Sequence, residues 1–189
     1  AFGSKQGSGS VDIYYNNGAV TNPLGSTIGG YTNGDGFGHS ISLSNDGLRI
    51  AIGAPNNDIA GTNKGIVIVK EFNGSSWDLL QNNIHGENEH DNFGSSVSLS
   101  NDGNTLAVGA PQNDGNGSNS GHVRVYQWNG NILPYSWDQL GNDIDGEYIE
   151  NLCGWSVSLN GDGNNVAIGA YRNSDGNNVP YSSNMYAQG

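Results

Sequence analysis

Much of what most folds rely on is scarce in this sequence. Its 189 residues include one cysteine and five prolines, with six lysines and arginines against eighteen aspartates and glutamates. A single cysteine excludes an intrachain disulfide framework. A net charge of −12 argues against nucleic acid and anionic membranes as partners. Apolar residues make up only 34% of the chain, and no apolar run approaches the ~20 residues of a membrane span, so no membrane insertion is expected. No signal-peptide pattern opens the sequence. Catalytic signatures are missing too: there is no Gly-x-Ser-x-Gly elbow, no Gly-x-x-x-x-Gly-Lys phosphate loop and no His-Glu-x-x-His.

What is abundant is glycine, with 31 copies, and asparagine, with 29. Both are poor helix formers, and glycine has no three-residue period, so neither a helical protein nor collagen is expected. The apolar residues gather in short β-branched runs between turn residues, the pattern of many short strands rather than of disorder.

The chain repeats. Phe37-Gly-His-Ser-Ile-Ser-Leu-Ser-Asn-Asp-Gly leads to Ile-Gly-Ala-Pro55. A matching stretch runs from Phe93 to Pro111, and a third from Cys153 to Ala170. The starts are 56 and 60 residues apart. Gly9-Ser-Val-Asp-Ile matches Gly65-Ile-Val-Ile-Val and Gly121-His-Val-Arg-Val, and each is followed by a Leu-x-x-x-Ile segment ending in Gly30, Gly86 or Gly146.

One unit reads as four strands. The first spans about 38–43, followed by an Asn45-Asp46-Gly47 hairpin turn suited to positive φ. The second spans about 49–53, the third 66–72, and the fourth about 77–84. Four antiparallel strands in 56–60 residues predict an all-β protein, a β-propeller built from four-stranded blades, in preference to a β-solenoid. The second strand, Ile50-Ala-Ile-Gly-Ala54, is apolar or small throughout, as a sheet covered on both faces requires. The expected division is a second half-blade at 1–36, full blades at 37–92 and 93–152, and a first half-blade at 153–189. These are about three blade-equivalents, to be completed by the remainder of a longer chain or by further copies.

Phe37-Gly38 with Gly53-Ala54-Pro55, and Phe93-Gly94 with Gly109-Ala110-Pro111, resemble the FG-GAP repeat. That repeat builds the seven-bladed propeller of integrin α subunits and of many secreted or surface proteins. The third copy keeps Gly154 and Gly169 but has Cys153 for the phenylalanine and Tyr171 for the proline. The resemblance implies an extracellular or cell-surface module for adhesion, scaffolding or assembly that binds protein or glycan. The alternatives are a propeller domain of a secreted hydrolase or lyase, and a lectin.

Candidate sites are few. Integrin-type blades often carry calcium between strands one and two. Here each turn supplies one carboxylate, Asp46, Asp102 or Asp162, and an apolar residue takes the last ligand position, so calcium is not expected. Each Asp is expected to cap its own turn. Asp35, Asp91 and Asn151, which precede each Phe-Gly position, are expected to bond turn amides. His85, Glu87 and His90 form the one His/carboxylate cluster legible along the chain, a metal candidate if the loop is not simply solvated. Cys153 is expected to be a buried apolar group. Tyr14, Phe72, Trp77, Trp128 and Trp137 are expected to pack across strands at the blade rim rather than to stack on sugars. Asn73-Gly-Ser and Asn116-Gly-Ser are N-glycosylation sequons in predicted turns.

Overall fold

The computed structural model describes residues 7–16, 18, 21–130 and 133–173. Among them there is no helix, and every regular element is a strand. A leading half-unit contains β1 (Ser10–Val11), β2 (Tyr14–Asn16), β3 (Thr21–Pro23) and β4 (Ile28–Gly29). The first full unit contains β5 (Ser40–Leu43), β6 (Arg49–Ala54), β7 (Ile66–Phe72), β8 (Trp77–Leu79) and β9 (Ile84–His85). The second contains β10 (Ser96–Leu99), β11 (Thr105–Ala110), β12 (His122–Asn129), β13 (Ser136–Gln139) and β14 (Ile144–Asp145). A trailing pair, β15 (Cys153–Leu159) and β16 (Val166–Ala170), repeats the first two strands of a unit. The rest of the expected last half-blade, from 174 to 189, lies outside the described residues.

Each full unit is one antiparallel sheet, ordered β5-β6-β7-β8 and β10-β11-β12-β13. The registers are equivalent: Ile52 pairs with Ile68 and Val108 with Arg124. The expected fourth strand is divided. β8 and β9 both pair with β7, and β13 and β14 both pair with β12. The cause is local. The residue after the leucine closing the first segment has positive φ in every copy: Gly25, Gln81 and Gly141, at 80°, 68° and 69°. A left-handed residue ends strand pairing, so the edge strand is broken at the same phase each time.

The units stack face to face. One apolar cluster joins Val11, Ile13 and Ile28 of the half-unit to Phe37, Ile50, Ile52, Ile66 and Ile68. A second joins Ala51, Val67 and Val69 to Phe93, Val97, Leu106, Val108 and Tyr126. β6 and β11 are thus buried on both faces, as their unbroken apolar runs predict. Stacking decides burial: Val97 and Leu99, covered by β5 and β6, are 8% and 7% exposed, while the equivalent Ile41 and Leu43 are 54% and 45% exposed.

Polar contacts repeat at two of the three junctions, between the full units and between the second unit and the trailing pair. Ser40 Oγ donates to the Gly94 carbonyl, and Ser96 Oγ to that of Gly154. Ser42 Oγ accepts from Leu99 N, and Ser98 Oγ from Leu159 N. The Asn45 amide donates to the Asn101 carbonyl, and the Asn101 amide to that of Gly161. Gly53 and Gly109 lie where the next unit's backbone passes, so an added Cβ would overlap the Gly94 or Gly154 carbonyl oxygen.

Candidate functional site

The repeated polar residues are engaged in the scaffold. Asp46 Oδ1 accepts from Ser44 Oγ and the Leu48 amide, and Asp102 Oδ1 accepts from Ser100 Oγ and the Asn104 amide. Asp162 accepts from the Asn164 amide and the Asn160 side chain. Each carboxylate caps its own turn. Asp35 accepts from the Thr32 amide and the Asn57 side chain, and Asp91 from the Asn88 amide and the Asn113 side chain. Asn151 instead gives its side-chain amide to Asn173, so there the loop contact runs between side chains.

These bonds hold the carboxyls of Asp46 and Asp102 below the ordinary value, chiefly through Ser44 and Ser100 and then through the Leu48 and Asn104 amides. For Asp162 the Asn164 amide is the main cause. A carboxyl whose folded pKa is depressed stabilises the fold above its unfolded value, and that contribution is lost as the pH falls through the folded value. The melting temperature is therefore expected to drop between about pH 5 and about pH 3, with a shallower drop in Asp102→Asn, as followed by circular dichroism. An acid slope unchanged by Asp102→Asn, with the fold intact, would refute this assignment.

Four of the five aromatics pair across strands as expected. Phe72 opposes Trp77 and Trp128 opposes Trp137, with ring centroids 5.2 Å and 5.5 Å apart. Tyr14 is exposed. A further pair was not legible as one: Trp155 and Tyr171 stack at 5.0 Å on the trailing sheet, both exposed. Cys153 is buried, and burial raises its thiol pKa. Asn73 and Asn116 are exposed, and their side-chain amides bond within the loops: Asn73 to Ser76 and Asp78, and Asn116 to the carbonyls of Gly146 and Glu147.

The His/carboxylate cluster is not the one the linear order suggests. His85, Glu87 and His90 are all exposed. Among the described residues, the metal-competent group of three is Glu87, His122 and Asp143, with ligand atoms within 4.8 Å of one another. His85 belongs to the β7–β9 pairing, and His90 sits at positive φ in the loop, so neither joins it. Glu87 instead reaches across to the next unit.

At the centre of this group is Arg124, 13% exposed. Its Nε donates to Asp143 Oδ1 at 2.9 Å, and its Nη2 donates to Asp143 Oδ2 at 2.7 Å and Glu87 Oε2 at 2.8 Å. Gln139 also donates to Asp143. Burial opposes the charge on Arg124, but the Asp143 carboxylate outweighs it and raises the pKa. The same bond lowers that of Asp143. Tyr126, buried beside them, has its phenol pushed up to about 12 by desolvation.

His122 is fully buried, and neither ring nitrogen has a hydrogen-bond partner. Its Nδ1 lies 3.6 Å from Asp143 Oδ2, too long for a hydrogen bond. Burial, then Arg124, lowers the imidazole pKa. The signal for this site was present in the repeat register. His122, Arg124 and Asp143 occupy the phases of Ile66, Ile68 and Asn83, so two polar groups replace core isoleucines.

Residues 30–69 and 86–126 each match the family model described as the FG-GAP repeat. The chain carries FG-GAP repeats. These two stretches contain both complete Phe-Gly and Gly-Ala-Pro motifs, which the structure places at the junctions. No curated protein matches the chain. Among the described residues, no helix is long and apolar enough to cross a membrane. The FG-GAP units are small antiparallel sheets stacked in series, and the group at Glu87, His122 and Asp143 lies between two of them.

Proposed function

We propose that this chain is a non-enzymatic module of the integrin-like propeller type, acting at the cell surface or outside the cell in adhesion, scaffolding or assembly. The observation that carries the reading is the repeated junction. The recurring Ser and Gly residues serve stacking and the recurring Asp residues cap turns or tie loops, which leaves variable loops to meet a protein or glycan partner. The units are blades around an axis, and the ring is completed by the rest of a longer chain or by further copies. The acidic surface repels anionic partners and keeps the module soluble.

A glycan reading has one specific observation in its favour, the exposed Trp155–Tyr171 stack, since aromatic faces lie well against sugar rings. The immobilised chain is to be screened against a glycan array and a panel of extracellular proteins. Saturable binding without turnover supports the module reading, and a glycan ligand lost in Trp155→Ala selects the lectin form. Hydrolysis or elimination on polysaccharide or phosphoester substrates, lost in Glu87→Gln or His90→Ala, would overturn it.

A further inference from the structure

We infer that the junction between the two full units is a binding site for one divalent transition-metal ion of the zinc class, with His122, Asp143 and Glu87 as ligands. A neutral imidazole has one N–H and one lone pair, and a buried ring normally finds a partner for each. Here both nitrogens are unpartnered and the side chain is fully buried, with Nδ1 3.6 Å from the Asp143 carboxylate. An available ring nitrogen beside two carboxylates is a donor set that suits zinc and its neighbours, which take imidazole and carboxylate together. Calcium would demand six to eight oxygens, which this group does not offer.

The repeat provides an internal comparison. The preceding unit stacks through Ile66 and Ile68 at the phases of His122 and Arg124, so stacking does not require polar groups there. Both replacements face the loop that carries Glu87. The maximum spread of 4.8 Å exceeds the roughly 3.3 Å between ligands of a tetrahedral zinc ion. Glu87 is the element able to close it, since its side chain is 47% exposed and its carboxylate is held by Arg124 Nη2. The ion takes the Asp143 oxygen now shared with Nη2. The Arg124 Nε and Gln139 bonds to the other Asp143 oxygen remain, and these orient the ligand from outside the coordination sphere. The charges of Glu87, Asp143 and Arg124 sum to one negative charge, so a dication is electrostatically welcome. The open side at Glu87 admits the ion and leaves a position for water.

The test uses the full chain, stripped with a chelator, titrated with zinc by calorimetry and with cobalt(II) by visible absorption. One ion per chain is expected, with tetrahedral cobalt bands and a higher melting temperature in zinc. His122→Ile restores the residue found at this phase in the preceding unit and is expected to fold, with zinc affinity at least about tenfold weaker. Glu87→Gln, at an exposed position, is expected to weaken binding in the same direction. The double variant His85→Ala/His90→Ala is expected to bind as the parent does. The assignment is overturned by the absence of stoichiometric binding, by unchanged affinity in folded His122→Ile, or by loss of binding in the His85/His90 variant.

Discussion

Gly109→Val is expected to abolish the fold. Gly109 is the penultimate residue of β11 and is buried, and an added Cβ would overlap the Gly154 carbonyl oxygen and Ser96 Oγ. The serine hydroxyl can rotate, but the carbonyl cannot retreat. It belongs to the next unit's backbone, accepts the Ser96 hydroxyl, and follows from Gly154 at φ 85°. Relief therefore requires moving the trailing sheet, whose β15 packs on β10 and β11, away from the second unit. Substitutions of this kind exceed about 4–5 kcal/mol, comparable to the whole stability of a domain at roughly 5–15 kcal/mol. Circular dichroism and thermal melting of Gly109→Val are expected to show no cooperative transition. Two other glycines serve as controls. Gly29→Ala meets nothing within 4 Å and is expected to change stability by less than about 0.5 kcal/mol. Gly169→Ala has the same sequence context, yet its nearest neighbours are atoms of Ser156 alone, and its effect is expected to stay near about 1 kcal/mol. A wild-type melt in Gly109→Val would show that the junction is not close-packed.

Phe93→Ala is expected to remove about 3–5 kcal/mol, the range for truncating a buried aromatic, and to lower the melting temperature by about 10 °C. Phe93 is completely buried in the cluster between the two full units and meets Tyr126 edge to face at 6.4 Å. The cavity is flanked by sheets on both sides, so collapse around it is resisted. Phe37→Ala is the graded comparison. The residue has the same phase but packs between the half-unit and the first full unit, and Ile41 and Leu43 on the strand that follows it are exposed where Val97 and Leu99 are buried, so relaxation is easier and the loss is expected to be smaller. Calorimetry on the two variants decides. Equal losses would mean that the burial of adjacent positions does not set the cost.

The legible part of this protein is the part that repeats. Asn-Asp-Gly marked the turns, and Ile-Ala-Ile-Gly-Ala marked a strand buried on both faces. Both follow from short-range rules, since a turn needs positive φ and a two-sided sheet needs apolar or small residues throughout. The division of the fourth strand was obscured in the first full unit, where the left-handed position is Gln81, a residue type with no preference for that region; Gly25 and Gly141 at the same phase carried the signal in the other two copies. The ionic cluster was hidden for another reason. Linear proximity drew attention to His85 and His90, whereas Glu87 meets His122 and Asp143 only through stacking. The departure of His122 and Arg124 from Ile66 and Ile68 was readable once the units were set in register. Which carboxylates they would meet was not.

The forward hand-off of amide hydrogens, Asn45 to Asn101 and Asn101 to Gly161, gives the array a direction. Each unit carries the giving half of a junction on one face and the receiving half on the other. Copying a unit within a gene therefore copies both halves together. Such a chain lengthens by duplication without evolving a new interface, and selection is left free to rewrite loops such as the one that holds Glu87.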